Sequence, residues 1–266
     1  MTRTATAVGR KSDLRLVLAD VGYEQLAFWR NPFAAAFSVG FSLEFLVPLG
    51  VSGAGSGHNA FLGNIPTIVY YVPGFVAYGV MATCFNVLAI TVVNRREAGL
   101  LKRLRLSPLP PWIFLTGLFL NALIVTLLQV VALLAVGRLA YHVNLPHHLP
   151  ALFLAVVVGA VAFTAIGVAA STLVPNQDAA GPILSIVFFV LLFLSGLWFP
   201  LRSSSALARI SAWFPVRHLM AATFAPYDPR PHARAYAWTD LLVLGAWGVA
   251  AALVAVRRFR WEPRRH

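Results

Sequence analysis

The chain has 266 residues, of which 59% are apolar and 11% charged, against about 45–50% and about 25% in an average soluble domain. A globule of this length must still be coated with polar groups, so a soluble enzyme is excluded, as are a disordered chain and a fibre, in favour of a membrane protein. The net charge of +12 then reads as basic segments facing anionic headgroups, with no nucleic-acid partner.

Residues 1–32 are a predicted cytoplasmic tail. Within it, 12–30 reads as an amphipathic helix lying on membrane lipid. Ser12 or Asp13 can cap it, and Leu14, Val17, Leu18, Val21 and Phe28 recur at near-helical spacing. Trp29 and Arg30 suit the headgroup level, and Asn31-Pro32 is a cap-and-start signal for the next helix. A bilayer core needs about 20 mostly apolar residues per helix. Six stretches approach this, at 33–50, 68–93, 112–137, 150–173, 182–200 and 239–256. None has the alternating polarity of a barrel strand. The expected fold is therefore all-α, with one six-span domain over 33–256 and a cytoplasmic tail at 257–266. The first run is too long, and too far from the start, for a cleaved signal core.

Basic residues orient the spans. With both termini cytoplasmic, fifteen lie inside and six outside. Five of the six outer ones fall in 201–238, which is too polar to span and too apolar to be a solvated loop. Leu207, Ile210, Trp213, Phe214 and Leu219 alternate there with Arg202, Arg209 and Arg217. An outer re-entrant helical hairpin broken near Pro215 fits this pattern, with its arginines reaching up to headgroups.

Few polar residues interrupt the spans. Glu44 is the one ionisable residue deep in a span, and burying it costs roughly 2.5–3.5 kcal/mol on insertion scales. It is a candidate for a structural ion pair, a substrate contact or a proton carrier. Asn86, Asn121 and Gln129 are mid-span polar positions suited to interhelical hydrogen bonds, or to a substrate path. Asp178 and Asp240 lie at span ends, where solvation is expected. The single cysteine, Cys84, excludes an intramolecular disulfide and a cysteine metal site. All seven histidines fall outside the spans, which excludes paired haem ligands, and His142, His147 and His148 read as an outer loop; no metal site is expected.

The segment 94–111 reads NRREAGLLKRLRLSPLPP. Its spacing predicts a short basic amphipathic helix from Arg95 to Leu106, ended by Pro108, Pro110 and Pro111. Leu100, Leu101 and Leu104 would share one face, and Glu97 would sit near the helix start, where exposed N–H groups favour a carboxylate. A positive-inside loop needs only the basic residues. It does not explain the order of acid, Gly99, two leucines, basic run and Ser-Pro-Leu-Pro.

That order, from Glu97 to Pro110, closely resembles the cytoplasmic segment of ABC type-2 export permeases, and most of all their drug and antibiotic branch. A second stretch is similar too: Leu194-Ser195-Gly196-Leu197-Trp198-Phe199-Pro200, followed by Ala212-Trp213-Phe214-Pro215. The likeness covers essentially the whole chain; Leu100 stands where the family often has Thr.

The resemblance implies a multi-pass permease subunit in a bacterial plasma membrane that exports amphiphilic or hydrophobic cargo by alternating access. Glu97, Gly99, Leu101, Lys102, Arg103, Leu104, Arg105 and Pro108 would couple it to an ATP-binding subunit, and Gly196, Pro200, Trp213 and Pro215 would shape the outer hairpin. The chain has no G-x-x-x-x-G-K-[ST], and neither lysine follows a glycine. No catalytic residue and no cofactor are therefore expected here. ATP and magnesium would sit on the partner, and a second permease subunit, identical or related, is implied. Two alternatives are a glycan-exporting member of the same family and an ion-coupled secondary transporter using Glu44.

Overall fold

The computed structural model describes residues 3–32, 40, 42–48, 58–59, 65–101, 111–198, 205–228 and 234–258. Helix α1 covers Arg3–Trp29. A two-residue antiparallel ladder follows, with strand β1 (His58–Asn59) paired to strand β2 (Ile65–Pro66). The remaining elements are helices: α2 (Thr67–Glu97), α3 (Pro111–Tyr141), α4 (Leu149–Ser171), α5 (Gln177–Ser195), α6 (Ala206–Ser211), α7 (Pro215–Phe224) and α8 (Trp238–Arg258).

Five of these helices are long and apolar enough to cross a membrane: α2, α3, α4, α5 and α8. They correspond to the second to sixth predicted spans. Of the first, 33–50, only residue 40 and the helical residues 42–48 lie within the described residues.

The helix ends follow local chemistry. Asn176 caps α5 by accepting from the Ala179 amide at 2.9 Å, and Asp178 lies in the first turn. The fifth span therefore begins five residues before its predicted start at Pro182; capping outranks the proline as a start signal here. It ends at Gly196, whose φ of +80° favours glycine. Helix α3 ends with His142 at φ +53° and the Val143 amide turned back onto the Gly137 carbonyl at 3.0 Å.

Helix α2 is the axis of the bundle. Val72, Phe75, Val76, Val80, Met81, Cys84, Phe85, Ala89, Val92 and Val93 are all buried. The outer helices do the reverse and turn large apolar side chains outward, among them Val131, Ile186, Leu242, Val249 and Val256. Such a surface suits hydrocarbon rather than water. Small residues let helices approach. A Cβ at Gly248 would lie 3.1 Å from the Ala162 Cα, so α8 lies directly on α4.

The spanning helices alternate in direction. At one end, the Tyr70 hydroxyl donates to the Gly196 carbonyl at 2.8 Å, and the His147 amide donates to Pro226 at 3.0 Å. This brings together the start of α2, the end of α5, the α3–α4 turn and the α7 region. The other end gathers α1, the end of α2, the start of α3 and the α4–α5 turn.

Midway along α2 the chain makes a π-helical turn over Ala82–Val87. Gly167 of α4 packs against it; a Cβ there would lie 3.0 Å from the Phe85 carbonyl oxygen and 3.1 Å from that of Cys84. Both neighbours are backbone and cannot swing away. Gly167→Val is therefore expected to destabilise the protein by about 1–3 kcal/mol. Gly245→Ala, in open space, should leave the thermal midpoint in detergent unchanged or slightly raised.

Candidate coupling site

The last turn of α2 carries Asn94-Arg95-Arg96-Glu97. The Ala98 amide bonds to the Asn94 carbonyl at 2.9 Å and the Gly99 amide to that of Arg96 at 3.0 Å. Gly99 has φ +72° with no atom close enough to crowd a Cβ, so the requirement is for backbone freedom, not for space. Leu100 and Leu101 are helical again beyond it.

The predicted helix from Arg95 to Leu106 is corrected by this break. Arg95, Arg96 and Glu97 close the second span. The Glu97 carboxylate consequently sits at a helix C-terminus, the end that repels it, and is held there by the Arg96 Nε at 2.8 Å. Leu100 and Leu101 do not share a face: Leu101 is fully buried and Leu100 exposed. Lys102, Arg103, Leu104, Arg105 and Pro108 lie outside the described residues.

The two arginines point to different parts of the bundle. Arg96 is only 3% exposed. Its Nη1 donates to the Ser171 carbonyl at 3.1 Å and its Nη2 to that of Val174 at 2.8 Å. It thus caps α4 and holds the α4–α5 turn, with its charge against the negative end of the helix dipole. With Glu97 on Nε, the buried guanidinium is well satisfied.

Arg95 reaches the opposite way, to α1. Its Nη2 donates to Glu24 Oε2 at 2.7 Å and its Nη1 to Glu24 Oε1, a bidentate pair. Its guanidinium also sits 5.6 Å from the centre of the Phe114 ring of α3. One turn earlier on α1, Asp20 lies against Gly117, where any Cβ would overlap its carboxylate. Asp20 Oδ2 is buried with no hydrogen-bond partner among the described residues. Further along, Gln25 donates to Asn121 Oδ1 at 2.9 Å, and Trp29 donates to Gln25 at 3.0 Å.

Helix α1 therefore turns its polar side inward. Leu14, Leu18, Tyr23, Leu26 and Trp29 are exposed, whereas Glu24 and Val17 are buried. The expected stripe is divided accordingly, Val17 being buried and Leu14 and Leu18 exposed. The helix also begins at Arg3, so Ser12 and Asp13 are interior to it rather than caps.

The remaining predicted positions separate. Asn121 docks α1. Gln129 is buried and donates to Ser42 Oγ at 2.5 Å, joining α3 to the 42–48 segment. Asn86 sits in the π-helical turn with its Oδ1 buried and unpartnered among the described residues. Glu44 lies on the exposed side of the 42–48 segment, away from buried Ser42 and Leu46.

At the far end, Trp213 is exposed, with its carbonyl accepting from the Trp247 indole at 3.1 Å, and Pro215 opens α7 as its first residue. Pro200 lies outside the described residues. Asp240, expected to be solvated, is instead paired with His218 Nδ1 at 2.7 Å. Among the described residues no group of three or more His, Cys, Asp or Glu is placed to hold a metal.

Residues 59–257 match the family described as "ABC-2 family transporter protein". The chain belongs to the ABC-2 transporter family. The match takes in α2 to α8 and stops short of α1. The chain is 28% identical over 196 residues to "Probable multidrug ABC transporter permease YbhR" of Escherichia coli K12, covering 71% of this chain and 52% of that protein. It is 24% identical over 151 residues to "Putative transport permease YvfS" of Bacillus subtilis, covering 56% of this chain and 61% of that one. The chain thus spans about half the length of the first of these relatives. In this ABC-2 family chain, sequence reasoning took Arg95 as the start of a separate helix and both Arg95 and Arg96 as inside charges, and missed Asp20, Glu24 and Gln25. Acids at i and i+4 on a helix whose leucines face elsewhere were the available signal.

Burial pushes the Asp20 carboxyl above its ordinary value of 3.8, Glu24 pushes it further, and Arg95 pulls against both. Between the unfolded and folded values the native state binds more protons than the unfolded one. Stability contributed by the protonated form therefore falls as pH rises through that window and stays lost above it. Asp20→Asn is expected to raise the thermal midpoint at pH 7, with the gain shrinking to nothing below the ordinary carboxyl range.

Proposed function

We propose that this chain is the membrane subunit of an ATP-driven exporter in a bacterial plasma membrane. In this reading six spans cross the bilayer, the first within 33–50, with both termini in the cytoplasm. Helix α1 lies at the inner interface with its apolar side in lipid, and α6 and α7 form the outer re-entrant hairpin. ATP and magnesium act on a separate nucleotide-binding subunit, and a second permease copy or related chain completes the pathway. The cargo is amphiphilic or hydrophobic, of drug or antibiotic type. The name of the Escherichia coli relative, a probable multidrug permease, supports that class.

The single observation that carries the reading is the hub at the end of α2. Arg95 grips α1, Arg96 grips the α4–α5 turn, and Gly99 links both to the basic segment after it. A subunit pressing on 100–110 would displace three elements together, as rigid-body alternating access needs. The basic residues assigned to that side other than Arg95 and Arg96 give an anionic docking face its complement.

A gentle detergent pull-down from native membranes, read by mass spectrometry, should recover a stoichiometric soluble partner with a Walker lysine. Glu97→Ala and Arg103→Ala should insert normally yet lose export or weaken that association. Normal export by both variants would remove the lever assignment, and a clean preparation without an ATPase would remove the pump.

A further inference from the structure

Between α1, α2 and α3 lies a half-open cavity of about 200 Å³. It is bounded on one side by α1, whose far face is a row of exposed leucines and aromatics. The cavity therefore sits one helix thickness from hydrocarbon, at the end of the bundle where the charges gather. Its volume is below the roughly 300–1,000 Å³ that encloses a whole drug-sized molecule. It suits a head group whose chain remains in the bilayer.

The walls are rich in acceptors. Thr83 spends its hydroxyl hydrogen on Gln129 Oε1 at 3.5 Å and Thr91 on the Val87 carbonyl at 2.8 Å, so both offer the cavity only lone pairs. Asn121 Oδ1 and the Glu24 carboxylate also line it. Each Glu24 oxygen takes one bond from Arg95 and has room for another. The Arg95 guanidinium, which also lines the cavity, lies against the Phe114 ring and spends two of its five N–H groups on Glu24, leaving donors for the phosphate of a zwitterionic head. Asp20, beside this pair, adds a second carboxylate against one guanidinium. A head without N–H donors would leave the Glu24, Asn121 and threonine acceptors unmet.

We propose that this cavity binds the primary-ammonium head of a membrane amphiphile, with Glu24 as its counter-charge and Asn121 and the two threonines as acceptors. Leu118 and Val125 form the apolar wall beside it. The amphiphile is an aminophospholipid of the bilayer or a free long-chain amine. Binding requires no ATPase, so it is separable from the pump.

The test is native mass spectrometry of the full chain from nanodiscs holding equal amounts of phosphatidylethanolamine and phosphatidylcholine with matched tails. The two heads carry the same charges and differ in N–H donors. The wild type should retain the ethanolamine lipid with about tenfold preference, the scale of one charge-assisted hydrogen bond. Glu24→Gln, which keeps the shape, and Ala27→Phe, which fills the cavity and keeps every charge, should each abolish the preference. Dodecylammonium, but not dodecanol, should displace the lipid. If the lipids are retained equally but dodecylammonium binds in a Glu24- and cavity-dependent way, the site serves free amines. If neither ligand responds to either variant, the proposal is overturned.

Discussion

Two adjacent arginines at the end of one helix engage different neighbours, and the arrangement of this end of the bundle follows from that. Consecutive residues on a helix are about 100° apart, so Arg95 and Arg96 cannot serve the same neighbour. Arg95 takes the Glu24 carboxylate of α1, and Arg96 takes the free carbonyls where α4 turns into α5. Each guanidinium is largely withdrawn from water, and each is matched by acceptors in place. Removing a partner would leave a buried charge uncompensated, which costs far more than the pair itself contributes. The hub therefore fixes the relative placement of α1, α2, α4 and α5 more firmly than apolar packing between the same helices could.

The solvent explains why such a hub is needed. Apolar side chains gain nothing by leaving lipid for a protein interior, so leucine-rich faces do not select one helix arrangement over another. Here specificity comes from small residues and from polar contacts. Gly248 and Gly167 set close approaches; Gln25–Asn121, Gln129–Ser42 and Tyr70–Gly196 set register. Helix α1 follows the same logic, with polar groups inward and leucines outward. Its inward side carries two carboxylates but contacts one arginine, so burial first, and Glu24 after it, raise the Asp20 pKa against the pull of Arg95.

Hydropathy and length were enough to locate the five described spanning helices within a few residues, because lipid demands long apolar helices and admits few alternatives. The motif around Glu97 and Gly99 pointed to the family, although it was read as a separate helix and did not place the end of α2. The break at Pro215 was also legible, since proline opens a helix more readily than it continues one. The direction of each side chain was not legible. Arg95 and Arg96 are equal contributors to a charge count, and only packing separates a guanidinium that caps α4 from one that docks α1. Glu97 was assigned to a helix start because the segment was read as a separate helix; the positive φ at Gly99 places the boundary two residues later. Asp240 was expected in water because span ends usually are, whereas His218 of α7 happens to reach it.

The most direct measurement is a charge swap across the hub, scored by export and by thermal stability. Glu24→Arg and Arg95→Glu should each lose stability and export, since each places two like charges face to face. The double variant should restore much of both, with an interaction energy of about 1–3 kcal/mol in the stability cycle. A double variant no better than the singles, or single variants that export normally, would contradict the claim that this bond carries motion from the end of α2 into α1.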